Sequence, residues 1–322
     1  MIAPASAAVV RPDPPDPPGD ALPLSRKLAL FAGDIKVSHT VFALPFALLS
    51  TFLAANYPAA TPAPGHVPAA GQLLLILACM VTARTVAMAA NRLLDARLDA
   101  VNPRTARRAL PAGALSPQFY LAVTVVCAAG FFAACLGFWL LYANPWPALL
   151  GPPVLAFLSA YPFLKRFTRL CHYYLGAALA LAPVCAWVAI RGALDAPPLW
   201  MAGAVLCWTA GFDIVYACQD YASDVATGVF SVPAKLGVAR ALWVARLTHV
   251  AAACLLVAVG LSARPVLGSA YAAGVALAVG LLFVEHALVR ADDLSKVGLA
   301  FFTVNGVISL ALGTLGIVDV FA

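Results

Sequence analysis

Hydrophobic positions in this chain come in long unbroken runs. Nine such runs recur, at about 37–56, 71–91, 119–142, 145–161, 173–190, 198–219, 241–261, 266–286 and 298–318. Each is close to the roughly 20 residues that cross the hydrocarbon core of a bilayer as a helix. Strict alternation of apolar and polar positions is absent, which argues against a membrane β-barrel. Backbone groups in lipid need internal partners, and helices provide them. The pattern therefore predicts an all-α membrane protein, a bundle of about nine transmembrane helices. The fourth run is short and opens on Asn144-Pro-Trp-Pro147, so its limits are the least marked. Residues 1–25 depart from the pattern. They are rich in Pro, Ala and Asp and lack a basic start and an apolar core, so they read as a disordered cytoplasmic tail and not a signal peptide. Residues 26–322 read as one transmembrane domain.

Composition agrees. Of 322 residues, 63% are hydrophobic and only 11% are charged. Soluble domains carry about 25% charge, so a water-soluble globule is excluded, and disorder of the whole chain needs low hydrophobicity. The eight cysteines form no CxxC pair and most lie in apolar runs, where they read as small buried hydrophobes.

Placing the charges adds more. With the N-terminus in the cytoplasm, 16 of the 20 Lys and Arg fall on the cytoplasmic side. Arg191 and Arg264 fall on the other side, and Arg84 and Arg246 lie within spans. This is the positive-inside bias, and it accounts for the net charge of +6 without invoking nucleic acid. Nine spans then put the C-terminus outside. The linkers 57–70 and 143–147 carry no Lys, Arg, Asp or Glu, so a site that needs charge is expected at the cytoplasmic face.

Five of the 14 acids fall in two short windows. Asn91, Asp95 and Asp99 are spaced i, i+4, i+8 at the end of the second span, and share one helix face before Asn102-Pro103 stops the helix. Asp213, Asp220 and Asp224 close the sixth span, and spacings of 7 and 4 predict a shared face there too. Either cluster alone could be a solvated helix end laced with ion pairs. Two together, beside a membrane, point to function. Opposed carboxylate faces suit Mg2+, which prefers oxygen ligands and is held by one or two carboxylates plus substrate phosphates.

A diphosphate also needs cations, which Arg forks and Lys point charges provide. Lys165 and Arg166 follow span four, Arg104 and Arg108 follow the first acidic cluster, and Lys36 and His39 stand at the start of span one. Arg97 and Arg107 read as topological decoration. Arg84, inside an apolar span two turns before Asn91, fits either a structural ion pair or a polar cavity. His172, His249 and His286 lack metal-ligand spacing and read as structural, with His172 close enough to the site to stay a candidate.

These residues resemble the UbiA superfamily of intramembrane aromatic prenyltransferases, in its 4-hydroxybenzoate polyprenyltransferase-like branch. The resemblance runs from about residue 33 onward and rests on four motifs: IKVSHTVFALPFALL (35–49), ARTVAMAANRLLDARLDAVNPRTARRALPAG (83–113), YPFLKRFT (161–168) and DIVYACQDYASDVATGVFSVPAKLG (213–237). It implies a helical bundle around a central cavity open sideways to lipid, in which Mg2+ ionises an allylic polyprenyl diphosphate. It carries metal-site roles onto Asn91, Asp95, Asp99, Asp220 and Asp224, with Asp213 as an upstream acid. Lys36 falls where many members have Arg, and Tyr161, Lys165 and Arg166 match the family's loop after helix four. Ala109 stands where the branch usually has Pro. Ala180 and Cys185 replace residues that are often Gly, at positions expected near the cavity.

The reaction this implies is electrophilic aromatic substitution. Cations neutralise the departing diphosphate, apolar helices shield the allylic cation from water, and the ring of an aromatic acid attacks it. The substrates are a polyprenyl diphosphate and an aromatic acid, 4-hydroxybenzoate first and a dihydroxynaphthoate as the alternative, in ubiquinone or menaquinone biosynthesis. The bilayer is the medium, and no protein partner is inferred. Arg84, His39 and Tyr161 are candidates for the cavity wall or the acceptor. A rival from another class is an ion-coupled transporter, which should place its acids near the membrane midplane. Here both clusters sit at one end of their spans.

Overall fold

The computed structural model describes residues 22–57 and 65–322, with the side chains of 37–39 outside that description. Most of the expected tail, and the side chain of His39, therefore lie outside the described residues. A short helix α1 (Leu24–Asp34) precedes the bundle. The bundle consists of α2 (Leu44–Ala55), α3 (Ala70–Val101), α4 (Pro117–Tyr142), α5 (Trp146–Leu164), α6 (Cys171–Arg191) and α7 (Ala196–Ala217), the short α8 (Tyr221–Thr227) and α9 (Val232–Leu236), then α10 (Val238–Ser262), α11 (Ser269–Leu288), α12 (Val297–Leu299) and α13 (Asn305–Phe321). No strand occurs among the described residues; an isolated bridge joins Arg290 and Asp293.

Each apolar run of the sequence becomes a helix. Eight of the described helices are long and apolar enough to cross a membrane, and a ninth, Thr40–Ala55, is shorter. Large side chains such as Leu140, Leu141 and Phe283 are at least 70% exposed, as lipid-facing positions are. The protein is an integral membrane protein. The first span differs from expectation in form. Lys36 adopts a left-handed conformation (φ 50°), Val37–Phe42 form a 3-10 turn, and only Leu44–Ala55 are α-helical. The fourth run forms a continuous helix despite Pro152, Pro153 and Pro162.

Helix α3 has 32 residues, about 48 Å at 1.5 Å per residue. That exceeds the roughly 30 Å of hydrocarbon, and Asn91, Asp95 and Asp99 fall in the last third of the helix. Ser116 caps α4 by accepting from the Phe119 N–H. Asp319, near the C-terminus, accepts from the backbone N–H groups of Gly268, Ala270 and Tyr271 and so satisfies the start of α11.

Small residues set the closest approaches. A Cβ on Gly176 would lie 2.3 Å from the Leu206 carbonyl oxygen, so α6 and α7 meet backbone to backbone only because that carbon is missing. One on Gly313 would lie 2.6 Å from the Pro45 ring, which sets α13 against α2. The largest core cluster gathers Phe42, Phe46, Trp208, Phe212 and Phe301. These rings meet mostly edge-on or tilted at 5–6 Å, a favourable aromatic geometry. The Trp208 indole N–H donates to Asn305 Oδ1 (2.7 Å), and Asn305 donates to Glu285 (3.1 Å), which fixes the orientation of that wall.

Candidate active site

A cavity of about 410 Å³ runs inside the bundle. Lys36, Asn91, Arg92 and Arg108 line one end, Phe138, Pro147 and Val188 the other, and Phe42, Phe212, Tyr216 and Phe301 lie between. Its wall is mostly apolar and its charged groups gather at one mouth.

At that mouth most motif acids meet a cation. Asp95, only 1% exposed, accepts from Lys165 Nζ and from Asn91 Nδ2 (3.0 Å), with Arg166 Nη2 at 3.9 Å from Oδ1. Arg166 also donates to the Leu94 carbonyl (2.6 Å). Asp99 receives Arg108 Nη1 on both oxygens, at 2.8 and 2.7 Å. Asp220 is held by a two-pronged Arg104 contact, Nε to Oδ1 at 2.8 Å and Nη2 to Oδ2 at 2.6 Å, and by Asn102 Nδ2 at 3.1 Å. Burial alone would lower the Arg104 pKa, but the bonds to Asp220 outweigh it and raise it. Tyr161 lies within electrostatic reach of Asp213, Asp95 and Asp224. The Phe230 N–H donates to the Lys165 carbonyl (2.8 Å), tying the segment after α8 to the segment after α5. The two acidic clusters are thereby brought to one mouth.

The second cluster does not form the single helical face expected of it. A 3-10 turn at Cys218–Asp220 ends α7, and α8 carries Asp224. A 3-10 turn has 3.0 residues per turn against 3.6, so Asp220 is rotated relative to Asp213. Asp213 accordingly has a different partner, His172 Nδ1 at 2.7 Å. The Val232 N–H donates to His172 Nε2 (3.1 Å), so that nitrogen accepts and Nδ1–H donates to Asp213. His172, read as structural but close to the site, thus holds a motif acid that lines the cavity.

Asp34 was not singled out by its sequence position, yet it organises the mouth. It accepts from Tyr120 OH (2.5 Å) and the Ala109 N–H (3.2 Å) and pairs with Arg92 Nε (3.2 Å). A proline at 109, the residue usual in the branch, would lack that N–H. Arg92 therefore pairs with Asp34, not with Asp95. Arg84 Nη2 donates to the carbonyls of Ile35 (3.3 Å) and Lys36 (2.8 Å), and Arg92 to that of Asp34 (2.9 Å). Together they hold the end of α1 and the left-handed Lys36 at the cavity rim. Partial burial, then the charges of Arg104, Arg108 and Arg92, lower the Lys36 pKa. Arg84 lines the cavity and has no carboxylate partner among the described residues. Cys185 also lines it, whereas Ala180 packs into the aromatic core.

The donor set suits a hard divalent cation: carboxylate and amide oxygens, with Asp95 Oδ1 buried and lacking a hydrogen-bond partner. As the side chains stand, no three such groups converge at metal distance among the described residues. The intervening Lys and Arg hold them instead.

The model of the UbiA prenyltransferase family matches residues 43–307. The chain belongs to that family. A 4-hydroxybenzoate octaprenyltransferase of Shewanella piezotolerans is 28% identical to it over 243 residues, 76% of this chain and 82% of that protein. The apo structure of a UbiA homolog from Aeropyrum pernix superposes with a TM-score of 0.76 at 30% identity, covering 88% of this chain and 98% of that one. A UbiA homolog from Archaeoglobus fulgidus, described as bound to GPP and Mg2+, shares the fold at TM-score 0.67 and 18% identity, covering 91% of this chain and all of that one. The chain is a prenyltransferase with the helical fold of the UbiA homologs.

Proposed function

We propose that this UbiA enzyme transfers a polyprenyl group from an allylic polyprenyl diphosphate to an aromatic acid, 4-hydroxybenzoate before a dihydroxynaphthoate. The observation that carries the reading is the pairing at the mouth: buried carboxylates and phosphate-binding cations neutralise each other at the entrance to an apolar cavity. Asn91, Asp95, Asp99, Asp220 and Asp224 are the residues to hold Mg2+. A divalent ion there would supply Lewis-acid stabilisation of the leaving diphosphate. The chain's own side chains do the rest by exchanging partners. Lys165, Arg104 and Arg108 leave their carboxylates for the diphosphate oxygens, joined by Lys36 and Arg166. In the substrate-free state Lys165, Arg108 and Arg104 each neutralise one carboxylate, which lowers the cost of burying Asp95, Asp99 and Asp220. Asp213 stands apart with His172 on the cavity wall.

Leu150, Leu158, Leu179 and Phe212, all lining the cavity, exclude water from the allylic cation. Phe42, Phe212, Tyr216 and Phe301 offer an aromatic-walled space for the acceptor ring. Arg84, with no carboxylate partner among the described residues, is the group to meet the acceptor's carboxylate. Names of relatives such as the Shewanella enzyme support 4-hydroxybenzoate, and the GPP- and Mg2+-bound neighbour supports a divalent metal with a prenyl diphosphate. The basic bias of the same end supports a cytoplasmic active site and N-terminus, with the C-terminus outside, in a cytoplasmic membrane.

The test is product analysis by mass spectrometry. Membranes containing the enzyme are given geranyl diphosphate, Mg2+ and a panel of aromatic acids. Prenylated 4-hydroxybenzoate, abolished by a chelator and by Asp95→Ala or Asp220→Ala, is expected. Product from a naphthoate alone would overturn the acceptor, and full turnover in either variant would overturn the site.

A further inference from the structure

Most threonines inside helices here, the buried Thr51 and Thr248 among them, share one habit. Thr51, Thr82, Thr85, Thr124, Thr227 and Thr248 each donate to the carbonyl four residues earlier, at 2.6–2.8 Å. That bond is the ordinary refuge of a hydroxyl in an apolar helix. Thr209 departs from it. Its residue is 0% exposed, and its Oγ1 has no hydrogen-bond partner. An orphaned buried hydroxyl is costly, and it persists where a function uses it.

Its position says what it meets. Thr209 lines the central cavity with Phe212, Asp213 and Tyr216, offsets of 3, 4 and 7 on one face of α7. Phe42, Phe212 and Phe301 stand in mutual contact at 5.3 Å between ring centres, and all three line the same cavity. Thr209 also precedes Asp220 by eleven residues, the offset by which Arg84 precedes Asp95. The two helices are spans of the same direction, so the backbones of both residues lie about three turns, roughly 16 Å, before the acids, while the Arg84 guanidinium bonds the Lys36 carbonyl at the rim. Thr209 and Arg84, the latter with no carboxylate partner among the described residues, thus line one aromatic-walled cavity.

We propose that Thr209 is a specificity-determining contact for the acceptor, its hydroxyl bonding an oxygen of the aromatic acid. This rests on the prenyl-transfer reading above. The diphosphate, held at the mouth, does not reach Thr209, and a prenyl tail has no polar atom to offer it. An oxygen on the acceptor ring would satisfy the group.

The experiment uses Thr209→Val, which keeps the shape and removes the hydroxyl, and Thr209→Ser, which retains it. Steady-state constants are measured on the purified enzyme with geranyl diphosphate and 4-hydroxybenzoate, alongside thermal unfolding of the substrate-free protein. Thr209→Val is expected to raise KM for the acid about tenfold, leave KM for geranyl diphosphate within twofold, and raise Tm, because the orphan hydroxyl is gone. Thr209→Ser should keep KM for the acid near that of the wild type. An unchanged acceptor KM in a folded Thr209→Val enzyme overturns the assignment while leaving the prenyl-transfer reading intact. So does an equal rise in both KM values, which marks a packing role. A wild-type enzyme that prenylates no aromatic acid overturns both.

Discussion

Asp95 offers the sharpest test of the exchange of partners, because its carboxylate is 1% exposed and Oδ1 already lacks a hydrogen bond. Its principal partner is Lys165, with Arg166 more distant at 3.9 Å. Lys165→Met keeps the length of the side chain and removes the charge. Removing one partner of a buried pair costs about 3–5 kcal/mol, since the other charge stays buried alone. Lys165 is itself 20% exposed, so the lower end, about 3 kcal/mol, is the appropriate figure. At about 2–4 °C per kcal/mol for a chain of this order, Tm should fall by roughly 6–12 °C. Adding Asp95→Asn removes the stranded charge, so the double variant should regain most of that loss. Mg2+ with an unreactive thio-analogue of geranyl diphosphate should rescue Lys165→Met but not the double variant. The assay is intrinsic-fluorescence unfolding in detergent, with and without Mg2+ and analogue. A Tm for Lys165→Met equal to wild type, or a double variant weaker than both single ones, would refute the pairing.

Three further outcomes follow from individual contacts. Arg104→Gln loses the two-pronged contact to Asp220 and, because Arg104 is also freed to bind diphosphate, should raise KM for the prenyl diphosphate at least tenfold; steady-state kinetics showing an effect on the acceptor KM alone would contradict this. Because burial and nearby arginines lower the Lys36 pKa, its ammonium is lost at lower pH than a free lysine's. Affinity for inorganic diphosphate should then weaken on the alkaline side before the ordinary lysine range, and Lys36→Arg should move that limb upward; a calorimetric pH series with no shift contradicts it. Gly176→Ala places a carbon 2.3 Å from the Leu206 carbonyl oxygen, so α6 and α7 must separate, at about 1–3 kcal/mol. A Tm equal to that of the wild type would contradict the close approach.

The spans and the first acidic cluster were legible because both are local patterns. Among the described residues the nine apolar runs became eight helices of spanning length and one shorter, and the 91, 95, 99 spacing lies on one regular helix, α3. What a local pattern cannot hold is a change of backbone type. The 3-10 turns at Val37–Phe42 and Cys218–Asp220 shortened the first span and rotated Asp220 from Asp213. Long-range pairing was equally hidden: Arg104 meets Asp220 across 116 residues and Arg92 meets Asp34 across 58. The one available signal for Asp34 was its place among few acids, immediately before the first apolar run. His172 carried no ligand spacing, and its role comes from the Val232 N–H that fixes its tautomer. Thr209 is an ordinary residue within an apolar run, and only its missing bond sets it apart.

The central claim is that metal and diphosphate enter one site by exchanging partners with its ion pairs. Electron paramagnetic resonance of free Mn2+, titrated against purified enzyme, measures this directly. The account predicts weak binding of Mn2+ alone, binding at least tenfold tighter with the thio-analogue of geranyl diphosphate present, and loss of that gain in Asp95→Asn and Asp220→Asn. Equal Mn2+ affinity with and without the analogue, or tight binding that survives both substitutions, would contradict it.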